Sequence, residues 1–194
     1  MKNLVLVLSL LVYVFGICET ATINPFEQNP AENKPDHTKK NEPELKRTSV
    51  FTHVLPELRK TTKVPLRLPT KYIFGGEGLF AIIDSVDTSS YQVQLAFDED
   101  CRGQNVCHEA TFIGSLNPIV LKEGMIHPIK RVPVVLHGGI KGYFIDSQCG
   151  AYCDESVIVW KQNGYHYSFG IKAGRKNVLI EIVNSAIVLN QISK

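Results

Sequence analysis

A strong charge of either sign is missing from this 194-residue sequence: 21 lysines and arginines stand against 19 aspartates and glutamates, a formal net charge of +2. A balance so close to neutral offers no electrostatic grip on a polyanion, so nucleic acid is not expected as a partner. Long apolar runs are missing as well. The stretch Leu4–Val14, interrupted only by Ser9, falls short of the ~20 residues that a helix needs to cross a bilayer core ~30 Å thick. No lasting transmembrane segment is therefore expected. The local signatures of catalysis are also absent: there is no Gly-x-Ser-x-Gly elbow and no His-Glu-x-x-His pair. The histidines His37, His53, His108, His127, His137 and His166 are scattered singly. Gly75-Gly76-Glu77-Gly78 leads into a strand pattern, with no phosphate-type lysine and no helix start, so it reads as a loop. No internal repeat is present, and no catalytic residue, cofactor or metal centre is expected.

What is there begins with an address. Met1-Lys2-Asn3 supplies one positive charge, Leu4–Val14 an apolar core, and Gly16-Ile17-Cys18 a region of small residues. Together they read as a secretory signal peptide over residues 1–18. A lipid-modified Cys18 is the rival reading, and the branched Ile17 before it speaks against that. Residues 19–48 are rich in Asn, Pro and mixed charge and poor in apolar side chains. They have too little to bury against an ordering cost of roughly 1–2 kcal/mol per residue, and are expected as a disordered polar tether. The folded domain is expected over residues 49–194.

With Cys18 gone, Cys101, Cys107, Cys149 and Cys153 remain, an even count in an exported chain, which argues for two disulfides. Each sequential pair brackets turn residues, Gly103 and Asn105 in one and Gly150 in the other, so Cys101–Cys107 and Cys149–Cys153 are the expected bridges. The spacings are not those of zinc knuckles. Asp98-Glu99-Asp100 and Asp154-Glu155 adjoin the two loops and read as solvated loop residues rather than as ligands of a hard cation.

Phe51, Val54, Leu55 and Leu58 have helical spacing, with Ser49 placed to cap a short helix. Val64-Pro65-Leu66-Arg67-Leu68-Pro69 is expected to be extended, because its prolines forbid a helix interior. Then β patterns take over. Leu79–Ile83 is a short apolar strand, and Tyr91, Val93, Leu95 and Phe97 alternate with more polar neighbours. Thr111–Gly114 is a weaker strand, and Val132–Leu136 and Gly142–Ile145 flank a turn at His137-Gly138-Gly139. Ser156–Lys161 and Tyr165–Ile171 flank Asn163-Gly164, the pair that supplies the positive φ angles of a tight hairpin. The period changes at the end: Val178, Leu179, Ile182, Val183, Ala186 and Ile187 make an amphipathic helix over residues 175–189. The expected fold is α+β, an antiparallel sheet of about 6–8 strands with the C-terminal helix on one face and a short N-terminal helix. Trp160, His166 and Tyr152 are the candidates for ligand-facing side chains.

Lys141-Gly142-Tyr143-Phe144, Val157-Ile158-Val159-Trp160, Asn163-Gly164-Tyr165-His166-Tyr167 and Ile182-Val183-Asn184-Ser185-Ala186-Ile187 resemble the extracytoplasmic module of anti-sigma-factor-like bacterial proteins. Val64–Pro69 resembles the opening of that module. The four-cysteine version resembles uncharacterised exported proteins of cyanobacterial type. The resemblance spans roughly residues 60–190 and implies a fold and an exported location, periplasmic or secreted, without implying catalytic residues. The expected function is that of a non-enzymatic binding module of the cell envelope, with an envelope protein, lipid or glycan as partner. The alternatives are a secreted structural protein or an envelope hydrolase.

Overall fold

The computed structural model describes residues 43–101, 104–121, 130–151 and 153–188. The expected signal peptide, most of the expected tether, His37, His127 and Tyr152 lie outside the described residues. In chain order the elements are β1 (Leu45–Arg47), α1 (Leu55–Thr61), β2 (Lys71–Ile73), β3 (Phe80–Val86), β4 (Ser90–Ala96), β5 (His108–Ser115), β6 (Arg131–Val135), β7 (Lys141–Ile145), β8 (Glu155–Gln162), β9 (Tyr165–Lys172) and α2 (Lys176–Val188).

Strands β3 to β9 form one sheet in the order β3-β4-β5-β9-β8-β7-β6, antiparallel throughout. It is built from two meanders, β3-β4-β5 and β6-β7-β8-β9, that meet where β5 pairs with β9. The hairpins follow from local chemistry. At the β3–β4 turn the Asp87 carboxylate accepts the amides of Ser89 and Ser90, at 2.6 and 2.8 Å, which closes the turn through a side chain. At the β8–β9 turn Asn163 and Gly164 take φ of 52° and 88°, the left-handed values that suit the twist of a two-residue hairpin. Between β6 and β7, His137–Gly139 make the turn, with Gly138 and Gly139 at the left-handed φ of 71° and 75°.

One face of the sheet is covered. The apolar stripe of α2 (Val178, Leu179, Ile182, Val183, Ala186 and Ile187) is buried and packs with inward residues of the strands, among them Val93, Leu95, Phe112, Ile158, Phe169 and Ile171. Each such side chain contributes about 1.5–3 kcal/mol by leaving water. Phe112 sits at the centre, edge-on to Phe51 at 5.3 Å and to Phe169 at 4.9 Å. Leu58 of α1 is fully buried against the same core. The segment Val64–Pro69 runs extended across one end of this face, where the Tyr167 hydroxyl donates to the Pro65 carbonyl at 3.1 Å.

This is the expected α+β arrangement, with three local departures. Helix α1 starts at Leu55 after a series of turns, with Val54 and not Ser49 at its N-cap, and without a side-chain cap. Pro56 explains the shift: lacking an N–H, it is tolerated only in a first turn. Strand β1 falls inside the segment expected to be tether. Its residues pair with β2, Leu45 opposite Ile73, and Leu45 packs on the core, so order begins before Ser49. Strand β5 starts at His108, three residues before the sequence pattern suggests. The register slips between Leu95 and Ala96, which face Ala110 and His108, and the bulge hides the alternation there.

Candidate functional site

Side chains of a strand alternate between faces, so the strands that send Tyr91, Phe112, Tyr167, Trp160 and Phe144 into the core send a second set to the other, free face. That set has three zones.

At one end the two disulfide loops converge. Cys101–Cys107 closes just before β5, and Cys149–Cys153 closes just before β8. The Cys101–Cys107 loop is tied down by Lys172, whose Nζ donates to the Asn105 carbonyl at 2.6 Å. Across β9, His108 Nε2 and Glu155 Oε1 lie 2.7 Å apart. The Glu155 side chain crosses β9 directly over Gly170, where a Cβ would collide with its carboxylate. Thr111 Oγ1 is 3.3 Å from the same nitrogen of His108. A hydrolytic relay needs the carboxylate and the nucleophile on opposite ring nitrogens. Here both meet Nε2, so the cluster works as a clasp between the starts of β5 and β8. Beside it Glu109 turns toward α2 and lines a hollow with Ile171, Lys172 and Arg175. Burial raises its carboxyl above the usual range, against the downward pull of the His108 and Lys172 charges.

The middle of the face mixes half-buried Ile113, Val157 and Ile145 and exposed Tyr143 with the buried polar side chains of Gln94 and Ser168. At the far end the described part of the β5–β6 connection and the sheet enclose a hollow of about 270 Å³. Its walls carry Arg131, Lys141, Lys161 and His166 beside Pro118, Ile119, Leu121, Tyr143 and Val159, and none of its described lining residues is acidic. Register brings the cations together: Lys161 faces His166 across β8–β9, and Gly142 faces Trp160 across β7–β8, which places Lys141 next to Lys161. Large apolar side chains stand exposed around this end: Leu116, Val120, Val135 and Tyr143. Val135 faces Lys141 across β6–β7.

No protein-family model, curated protein or solved structure matches the chain. Its site therefore has to be read from its own geometry.

Of the three expected ligand-facing side chains, His166 lies in the wall of the basic hollow. Trp160 does not reach the free face with its ring. It is buried in the core, stacked on Tyr167 at 5.1 Å and edge-on to Phe169 at 5.0 Å. At the hollow it offers backbone only, because its place in the alternation is opposite to that of Val159 and Lys161. Tyr152 lies outside the described residues. Arg131, Lys141 and Lys161 were not singled out by sequence reasoning. Each occupies an outward strand position, yet only the register shows that β7 and β8 bring Lys141 and Lys161 to one end of the sheet, while Arg131, opposite Ile145, lines the hollow from further along β6. Among the described residues no three His, Cys, Asp or Glu side chains gather as a metal set, since the four cysteines are bridged in pairs. No helix of the described residues is long and apolar enough to cross a membrane.

Proposed function

We propose that this protein is an exported, non-enzymatic binding module that docks the basic end of its free sheet face onto an anionic lipid surface. The observation that carries the reading is the hollow walled by Arg131, Lys141, Lys161 and His166 with no acidic residue among its described lining, ringed by exposed Leu116, Val120, Val135 and Tyr143. Basic side chains draw a surface toward acidic headgroups, each contributing about 1 kcal/mol. Exposed apolar side chains among them can then enter the boundary between headgroups and acyl chains. The overall charge is close to neutral, so the attraction is a property of this end and not of the whole chain. Export agrees with the signal-like residues 1–18, with the resemblance to extracytoplasmic modules, and with two disulfides, which persist in oxidising compartments.

The test is sedimentation of the secreted chain with vesicles. Vesicles of phosphatidylcholine mixed with phosphatidylglycerol are expected to carry the protein down, and pure phosphatidylcholine vesicles to leave it in solution. Salt should release it. Lys141→Glu with Lys161→Glu should weaken binding at least tenfold, given about 1 kcal/mol for each charge removed or reversed. Equal binding to both vesicle types, or none to either, would overturn the reading.

A further inference from the structure

The covered face holds a feature that the free face does not explain. Arg67, in the extended segment Val64–Pro69, keeps only 6% of its surface exposed. Its Nε and Nη1 are buried without a hydrogen-bond partner. Arginine does not shed its proton in a protein, and an uncompensated buried charge is among the costliest things a fold can hold. The ion pairs seen among the described residues are Lys46–Glu44 and His108–Glu155, and neither involves Arg67.

Further unmatched groups lie on the same covered face of the sheet. The Arg67 backbone is pinned through Tyr91, whose hydroxyl accepts the Arg67 amide at 2.9 Å and donates to its carbonyl at 3.2 Å. Burial pushes the Tyr167 hydroxyl up to about 12 while the Arg67 charge pulls it down, so the cation lies close to Tyr167 as well. Tyr91, Gly114, Tyr167 and Trp160 form one row across β4, β5, β9 and β8. At the end of that row the Trp160 indole Nε1 is buried without an acceptor. Two residues further along β8, on the same side, Gln162 Oε1 is buried without a donor. One patch around the Tyr167 ring thus presents unmatched donors from a cation and an indole, and one unmatched acceptor.

We propose that Arg67, Trp160 and Gln162 form a binding site for a small carboxylate that carries a hydroxyl group, the class of the hydroxy acids. The carboxylate takes the Arg67 and Trp160 donors, and the hydroxyl donates to Gln162 Oε1. Neutralising a buried guanidinium with an oxyanion is the arrangement arginine's fork of donors suits best. Entry requires Val64–Pro69 to lift from the sheet, where the Tyr91 and Tyr167 hydroxyls hold it. The site is separate from the basic hollow and stands whether or not that end meets lipid.

Trp160 is the chain's one tryptophan, so the full secreted protein labelled with nitrogen-15 shows a single indole N–H signal, and that signal reports the site directly. Glycolate is expected to shift it saturably. Acetate, which lacks the hydroxyl, should bind several-fold more weakly, and sodium chloride at matched ionic strength should leave the signal in place. Arg67→Met should abolish the shift and keep the dispersed spectrum, because an apolar side chain of similar size replaces a buried charge without loss of packing. Gln162→Leu should remove the preference for glycolate over acetate while keeping acetate binding, which tests the site even if the Arg67 variant fails to fold. An indole signal unmoved by glycolate and acetate, or moved equally in Arg67→Met, would overturn the proposal.

Discussion

Gly170 shows how one missing side chain organises an end of the sheet. Glu155 lies across β9 in the space that a Cβ at position 170 would need, and so reaches His108 on the far side at 2.7 Å. Gly170→Ala is expected to push the carboxylate aside, break the clasp and cost about 1–3 kcal/mol, the usual range for overpacking. Urea unfolding measures it. In the background of Glu155→Ala the same alanine should cost much less, since nothing is left to collide with, and a double-mutant cycle isolates that coupling. Equal costs in both backgrounds would mean that strain in the strand, and not the collision, dominates.

The disulfides act on loops more than on the core. Each closes a short segment, of sequence separation 6 in one and 4 in the other, immediately before a strand whose first residues make the His108–Glu155 clasp. A short loop gains the least from cross-linking, about 2–3 kcal/mol. Cys101→Ser with Cys107→Ser is expected to lower stability by about that amount. The loss should be confined in space: hydrogen exchange at Asn105–Cys107 should speed up, while the β8–β9 hairpin around Asn163-Gly164 keeps its protection. The Lys172 contact to Asn105 keeps the loosening local, because it anchors the loop to β9 independently of sulfur. Equal acceleration in both regions would show the bridge to be part of the global core.

At the scale of the whole molecule, buried tyrosines set an upper pH limit. Burial raises Tyr72 and Tyr91 well above the ordinary 10.0 and Tyr167 to about 12. In the unfolded chain these phenols ionise near 10. Between about 10 and 12 the folded state therefore holds more protons than the unfolded state, and stability falls as pH rises. Circular dichroism should show alkaline unfolding in this window, with a shallower dependence in Tyr167→Phe. An unchanged slope in that variant would place the sensitivity in Tyr72 and Tyr91.

Local chemistry by itself determined much of this protein. The alternation of Tyr91, Val93 and Leu95 specified β4. Asn163-Gly164 specified its hairpin, and the apolar stripe from Val178 to Ile187 specified α2, because strand, turn and helix signals reside in residues a few positions apart. The four cysteines and the turn residues between them pointed to bridges within each pair, since short chains can bend back on themselves. Only the tertiary structure decided that β5 lies beside β9. That pairing joins distant segments, and no local pattern encodes which apolar strand edge meets which. From it follows the His108–Glu155 clasp, while the β7–β8 and β8–β9 registers bring Lys141, Lys161 and His166 to one end, and packing against α2 decides that the Trp160 ring turns into the core while its neighbours face outward. Arg67 makes the same point most sharply. The sequence places a charged residue between two leucines in an extended segment, where solvent is the ordinary expectation. Its burial arises because Tyr91 and Tyr167, two strands apart in the sheet, hold that segment against the core face.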